Sequence, residues 1–344
     1  MTRIAVGTEK GGYLVDDISG GWSVSGPLFP GWKVTAFGSA PDGTHLAAVG
    51  SNWFGVGIHR SDDLVDWEQI VDPPGWPADS ERKMDQIWTF HTSGGRIWAG
   101  VAEAGLFTSD DGGVGWAPVT GLNEHRTRAD WQPGFGGLCA HRVQVDGQSQ
   151  WVAISAVGVF RSDDGGTTWE PKNDGVDPAG LPEDAERPEV GYCVHCIAHD
   201  PADPRRIWRQ DHTGVYRSSD GGDNWERIEE GLPANFGFVM WRDDSIGRLF
   251  TIPLEADVNR LPVEGRLQVY RSDDDGDSWE VAGTGWRDEP QFTGVLRGAF
   301  DGDGEGTFCF GTTGGKLWLT RDGGDHWEEL GLAFPRIGSV EVVR

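Results

Sequence analysis

Apolar positions fall in short runs that alternate with polar ones, and clusters of Gly, Pro and Asp separate the runs. Alternation of that kind predicts β-strands, and no segment carries the 3.6-residue period of an amphipathic helix. Residues 138–171 show the pattern in full. Leu138 to Val145 reads as strand A, Gln150 to Ser155 as strand B and Gly158 to Ser162 as strand C. A polar turn follows, and Trp169-Glu170-Pro171 starts strand D.

The polar turn recurs along the chain. The pattern Ser/Thr-x-Asp-x-Gly-x-x-Trp is intact from Ser109 to Trp116, Ser162 to Trp169, Ser218 to Trp225, Ser272 to Trp279 and Thr320 to Trp327. Two copies are degraded. Ser61 to Trp67 is one residue short and lacks the Gly, and Asp17 to Trp22 follows Val15 where the others have a hydroxyl. Successive Trp residues lie 45 to 56 positions apart. The residue types explain themselves as a staple: hydroxyl and carboxylate accept from loop N–H groups. The Gly takes positive φ, and the indole buries against the sheet. Asp63, Asp111, Asp164, Asp220, Asp274 and Asp322 are therefore expected to be structural. The segment 273–277 mimics a calcium loop, but a capped turn accounts for it.

Four short strands in each repeat of about 50 residues describe a propeller blade. Blades are expected at about 32–71, 84–119, 136–171, 191–228, 236–282 and 292–330. The N-terminal part, 1–26, supplies only three strands, beginning with Arg3 to Thr8 and then Gly12 to Asp16. The segment 336–344 has the position and length of the missing strand A. The expected fold is all-β: one seven-bladed β-propeller over 1–344, with four-stranded antiparallel blades, closed by pairing of the N- and C-terminal segments in one blade.

These motifs carry a resemblance. The chain resembles the Asp-box (BNR-repeat) β-propellers over its whole length. More narrowly it is similar to the bacterial sialidase-like, glycosyl-hydrolase-like or WD40/YVTN/BNR-like repeat group, through Gly158 to Gly166, Gly214 to Ser218 and Gly265 to Ser272. The resemblance implies Asp boxes on one face. Ligand sites then lie on the other, built from D–A and B–C loops around a central channel.

That face receives the long connections 72–86, 120–137, 172–191, 253–267 and 283–292. Connections longer than a hairpin needs usually carry function or motion. Trp53, Trp131, Phe135, Glu255, Arg260, Arg266, Phe292, Arg297 and Arg336 are the expected ligand-binding residues, with Trp32, Trp76, Trp286 and Asp257 nearby in the same segments. Aromatic platforms beside Arg and carboxylates suit a sugar or a small polar or anionic ligand. The same aromatic residues also suit closure of gaps between blades.

Cysteine and histidine cluster. Cys139-Ala140-His141 and Cys193-Val194-His195 occupy strand A of consecutive blades, 54 residues apart. Residues two apart on a strand share a face. His141, His195, Cys139 and Cys193 are the candidate ligands for a transition metal, Zn or Cu. His195 and His212 are candidate general bases. The structural alternative is buried Cys acting as a small hydrophobe, with His bonded to backbone. Sialidase chemistry, which the resemblance invites, needs an Arg triad, a Tyr paired with Glu, and an Asp. Tyr192 with Glu189, and Asp211, are the candidates; the Phe/Tyr-Arg-Ile-Pro motif is missing, and Phe334-Pro335-Arg336-Ile337 has another order.

Charge narrows the partners. Lys and Arg number 29 against 55 Asp and Glu, for a net charge of −26. No basic cluster reverses that field, so nucleic acid and anionic membrane surfaces are excluded as partners. No run approaches the roughly 18 apolar residues of a membrane span. Four cysteines in 344 residues do not make a disulfide scaffold. With no apolar leader, a cytoplasmic location and free thiols are expected. Only five basic residues are Lys, which fits adaptation to high salt or GC-rich coding. The leading functional expectation is recognition of a small polar or anionic ligand, or of a protein partner. The alternative is an enzyme at the channel mouth, either a glycoside hydrolase or a His- or metal-dependent lyase or hydrolase.

Overall fold

The computed structural model describes residues 2–51, 53–178, 186–256 and 259–343. The extreme positions 1 and 344 of the expected closing blade, and Asp257, lie outside the described residues. Among the described residues the chain is all-β apart from one turn of α-helix at Thr120–Asn123 and two 3-10 turns, Arg128–Asp130 and Val263–Gly265. The short helix is a departure from the strand-and-turn pattern. Asn123 explains it: its side chain accepts from Leu106 N at 2.8 Å and donates to Leu106 O at 2.9 Å. The loop is thereby folded back over its own sheet.

Five four-stranded antiparallel sheets follow one another among the described residues. Their first strands are Lys33–Ser39, Gln86–Ser93, Ala140–Asp146, Val194–Asp200 and Trp241–Asp243. An eight-stranded sheet holds two further four-stranded antiparallel sets, linked by a single parallel bridge between Gly298 and Ser339. One set starts with Val295–Gly302. In the other, Ile337–Val343 pairs antiparallel with Arg3–Thr8, with Arg3 opposite Val343, and Gly11–Ile18 and Gly21–Leu28 complete it. The sheet beginning at Trp241–Asp243 is irregular. Its upstream segment Phe236–Gly237 leaves the ladder and pairs with Pro253–Leu254.

Apolar cores lie between neighbouring sheets. Leu46, Ile58, Ile87 and Ile97 join the first two sheets, and Trp98, Leu106, Val143 and Phe160 the next two. Trp151 and Ile197 belong to the following interface, and Trp208 and Leu249 to the one after. The last large cluster joins Phe250, Phe308 and Trp318 to Ile4 and Val340. Ala5 and Leu14 in turn pack with Val34 and Val49. Each sheet thus buries both faces against two neighbours.

The Asp boxes hold the C–D turns. In the box at 218–225, Ser218 Oγ donates to Asp220 Oδ1 at 2.8 Å and accepts from Gly222 N at 2.8 Å. Asp220 Oδ1 accepts from Asn224 N at 2.9 Å. The same hydroxyl–carboxylate bond occurs at Asp63, Asp111, Asp164, Asp274 and Asp322. Charge-assisted acceptance by the loop is strong enough to hold each carboxyl below its usual range; for Asp111 the leading cause is the Gly115 N–H. The degraded copy near Trp22 lacks this cap. Asp16 pairs instead with Arg3, and Asp17 with Arg321 of the neighbouring set.

Candidate functional site

In a four-stranded meander the A–B and C–D turns share one edge, and the B–C and D–A connections share the other. The Asp boxes therefore occupy one face. The starts of the A strands and the long connections occupy the opposite face.

On that opposite face three groups that could hold a metal ion meet. The Cys193 thiol, His195 and His212 offer one atom each within 4.8 Å of one another. Cys193 enters strand Val194–Asp200, and His195 follows two residues later on the same side. His212 comes from the B–C turn of that sheet. The Cys193 Sγ to His195 Nε2 distance is 3.5 Å. His195 is buried, and its Nδ1 donates to Gly237 O at 2.6 Å. That bond fixes the tautomer and leaves the Nε2 lone pair facing the thiol. Phe236 and Phe238 pack on the His195 ring, with centroids 5.1 and 4.8 Å away.

The surroundings lower both the Cys193 thiol and the neighbouring imidazoles. Burial pushes the Cys193 thiol up, but the His212 hydrogen bond, the Arg297 charge and the Ser155 hydroxyl outweigh it, and the net direction is down. Burial and then Arg297 push both His195 and His141 well below the ordinary imidazole range. Cys139 is the opposite case, pushed up to about 11 by burial. His141 bonds Val194 O through Nε2 at 3.0 Å. Cys139 and His141 are neighbours of the cluster without belonging to the converging trio.

Arg297 stands beside it. Its guanidinium lies 4.7 Å from the Phe238 ring centre and 6.0 Å from that of Trp88. Arg260 lies over the same Phe238 ring at 5.6 Å. Among the described residues no carboxylate pairs with Arg297, and its Nε is buried without a hydrogen bond. Burial lowers its pKa, as expected for a cation held away from water without a carboxylate partner.

The other expected site residues are dispersed. Asp211 is 1 % exposed and tied to Arg209, itself fully buried, by a short ion pair, and it also accepts from His212 N. Glu189 pairs with Arg126 on the rim. Tyr192 is buried and donates to Pro188 O at 2.9 Å, so it does not face Glu189 as a nucleophile pair requires. Trp131 is buried under Arg128 and against Phe160, closing a gap between sheets. Arg266 pairs with Glu264, Arg336 with Glu9, and Glu255 accepts from Asn259. Phe135 and Phe292 are exposed.

Trp53 is 89 % exposed and Phe54 79 %. Phe54 stacks on Trp32 at 5.6 Å. Two adjoining cavities of about 490 and 330 Å³ share Val56; the first is lined by Phe29, Trp32 and Phe54, the second by Lys10, Lys33 and Trp53. Phe238, Trp88 and Phe54 were not distinguishable in the sequence as site residues. For Phe238 the one signal was its alternation with Phe236 ahead of an interrupted strand.

Comparison with known proteins agrees with this architecture. A family model described as BNR/Asp-box repeat matches residues 160–171. No curated protein matches the sequence. Among solved structures, YCF48 from Cyanidioschyzon merolae is 11 % identical, with a TM-score of 0.54, covering 88 % of this chain and 86 % of that one. YCF48 bound to a D1 peptide is 13 % identical, with a TM-score of 0.52 and coverages of 83 % and 78 %. An ancestral GH74 enzyme is 16 % identical, with a TM-score of 0.57, covering 86 % of this chain but 38 % of that one. No helix among the described residues is long and apolar enough to cross a membrane. The chain is an all-β propeller carrying the BNR/Asp-box repeat.

Proposed function

We propose that the chain is a closed seven-bladed propeller that recognises a small anionic ligand at the channel mouth, on the face opposite the Asp boxes. Closure is supported by the pairing of Ile337–Val343 with Arg3–Thr8 and by apolar contacts at both faces of that set. The anionic preference rests on one observation: Arg297 is a half-buried cation with no carboxylate partner among the described residues. A buried charge is costly unless paired, and an incoming carboxylate or phosphate supplies the missing partner. Phe238 and Trp88 give an apolar wall for the rest of the ligand. Asp211 and Glu189 are engaged by Arg209 and Arg126, which supports binding over glycoside hydrolysis. Four free cysteines suit a cytoplasmic location.

The test is a panel of sugar acids, dicarboxylates and phosphosugars read by calorimetry, against Arg297→Met. A charge-assisted bond contributes about 1.5–3 kcal/mol, so the variant is expected to bind roughly ten- to a hundredfold more weakly. Unchanged affinity in Arg297→Met overturns the reading.

A second reading, a protein or peptide partner, is favoured by the exposed Trp53 and Phe54 beside Trp32. Exposed aromatic groups next to a cavity are the usual anchors of such contacts. The reading predicts that Trp53→Ala loses partner capture with the melting temperature unchanged; equal capture by Trp53→Ala overturns it.

A further inference from the structure

We propose that Cys193, His195 and His212 bind a soft transition-metal ion, of the Zn²⁺ or Cu⁺ type, through one thiolate and two imidazole nitrogens. The distances carry the argument first. Tetrahedral zinc with bonds of about 2.3 Å to sulfur and about 2.0 Å to nitrogen holds those two atoms roughly 3.6 Å apart. Cys193 Sγ and His195 Nε2 stand 3.5 Å apart, and the His212 ring atom closes the triangle within 4.8 Å. A His212 side-chain movement of about 1–1.5 Å brings its nitrogen to the roughly 3.3–3.6 Å spacing of tetrahedral ligands and completes three-point coordination.

The shell around the ligands is of the kind a metal site needs. A ligating histidine usually donates its other ring N–H to a backbone carbonyl, which fixes the tautomer and orients the ring. His195 does this through Nδ1 to Gly237 O. Phe236 packs against both rings, 5.1 Å from each centroid, and limits their rotation. The donor set of sulfur and nitrogen excludes Mg²⁺ and Ca²⁺ as occupants.

Cys193 and His212 remain partly exposed, so the ion enters from the open face and keeps a position for an exogenous ligand. With Zn²⁺, one thiolate leaves a net positive charge. Arg297 beside it adds another, and an anion at the open position balances both. The metal inference does not depend on the anion reading: metal uptake is measured in ligand-free protein with Arg297 intact, and Arg297→Met is read by anion affinity in metal-stripped protein.

The experiment is titration of the full chain, stripped with chelator, with Co²⁺ and then Zn²⁺. One equivalent of Co²⁺ is expected to give a near-ultraviolet thiolate-to-cobalt band that Zn²⁺ displaces. Cys193→Ser abolishes the band, and His212→Gln weakens affinity at least about tenfold, whereas His326→Ala on the Asp-box face changes neither. A readout without any variant uses thiol reactivity. Cys139, Cys196 and Cys309 are buried, so Cys193 is the fast-reacting thiol and bound Zn²⁺ or Cu⁺ protects it. Failure of all three ions to protect that thiol, or Co²⁺ uptake that persists without its band in Cys193→Ser at undiminished affinity, overturns the proposal.

Discussion

Deleting residues 337–344 is the most direct perturbation of the proposed ring closure. The lost strand carries Ile337, Val340 and Val342, which are 0, 6 and 5 % exposed. Burial of each such side chain contributes about 1.5–3 kcal/mol, so the three together supply roughly 5–9 kcal/mol. The antiparallel ladder to Arg3–Thr8 disappears with them. That strand then becomes an open edge, with Ile4 and Val6 losing their cover. The sum is comparable with the whole stability of a typical domain, about 5–15 kcal/mol. Urea unfolding followed by circular dichroism, with size exclusion alongside, is the assay. The truncated chain is expected to aggregate, or to unfold at a much lower urea concentration. Ile337→Ala gives a graded version, with a loss of about 2–5 kcal/mol. A truncated monomer that unfolds at the wild-type midpoint would refute the closed ring.

Three more perturbations test the interpretation. Asp211→Asn leaves the fully buried Arg209 without its counter-charge; removing one member of a buried pair costs about 3–5 kcal/mol, and an unaltered urea midpoint would return Asp211 to the list of free catalytic carboxylates. Trp208→Phe deletes the bond from Nε1 to Asp275 O, 2.9 Å long, which ties one sheet to the Asp box of the next. The lost bond and the void left in a fully buried site together cost about 2–3 kcal/mol, and a melting temperature equal to wild type would contradict an inter-sheet role. The carboxyls of the six boxes are held below their ordinary value in the folded chain, so their contribution is present above the unfolded value and disappears as pH falls through the folded one. Stability should therefore decline steeply below about pH 4, and less steeply in Asp274→Asn; identical acid profiles for the two proteins would remove the boxes as the cause.

How much could be read from the chain depended on whether the causes were local. Strands Arg3–Thr8 and Gly158–Ser162 have the bounds that alternation and turn chemistry suggest, and the box carboxylates cap their own turns. The site was legible where the repeat itself encodes proximity. Cys139 and Cys193 recur at one repeat, and Ser155 lies within 3.8 Å of Cys193 while interacting with Cys139 too. His212 was recognisable as a nearby loop residue. Its convergence with Cys193 and His195, in place of Cys139 and His141, follows from its place in the B–C turn of the Cys193 sheet, because the A strands of both sheets carry the same bulge. The pairing of Arg209 with Asp211 was available in principle, since residues two apart share a strand face. Reading Asp211 as a base overlooked that partner. Arg297 is the reverse case. Its significance is the absence of a counter-charge, which depends on every segment that folds around it. A repeat can announce what each sheet brings to this face, but the lack of a carboxylate beside Arg297 is a property of all the segments packed around it, and no single repeat encodes it.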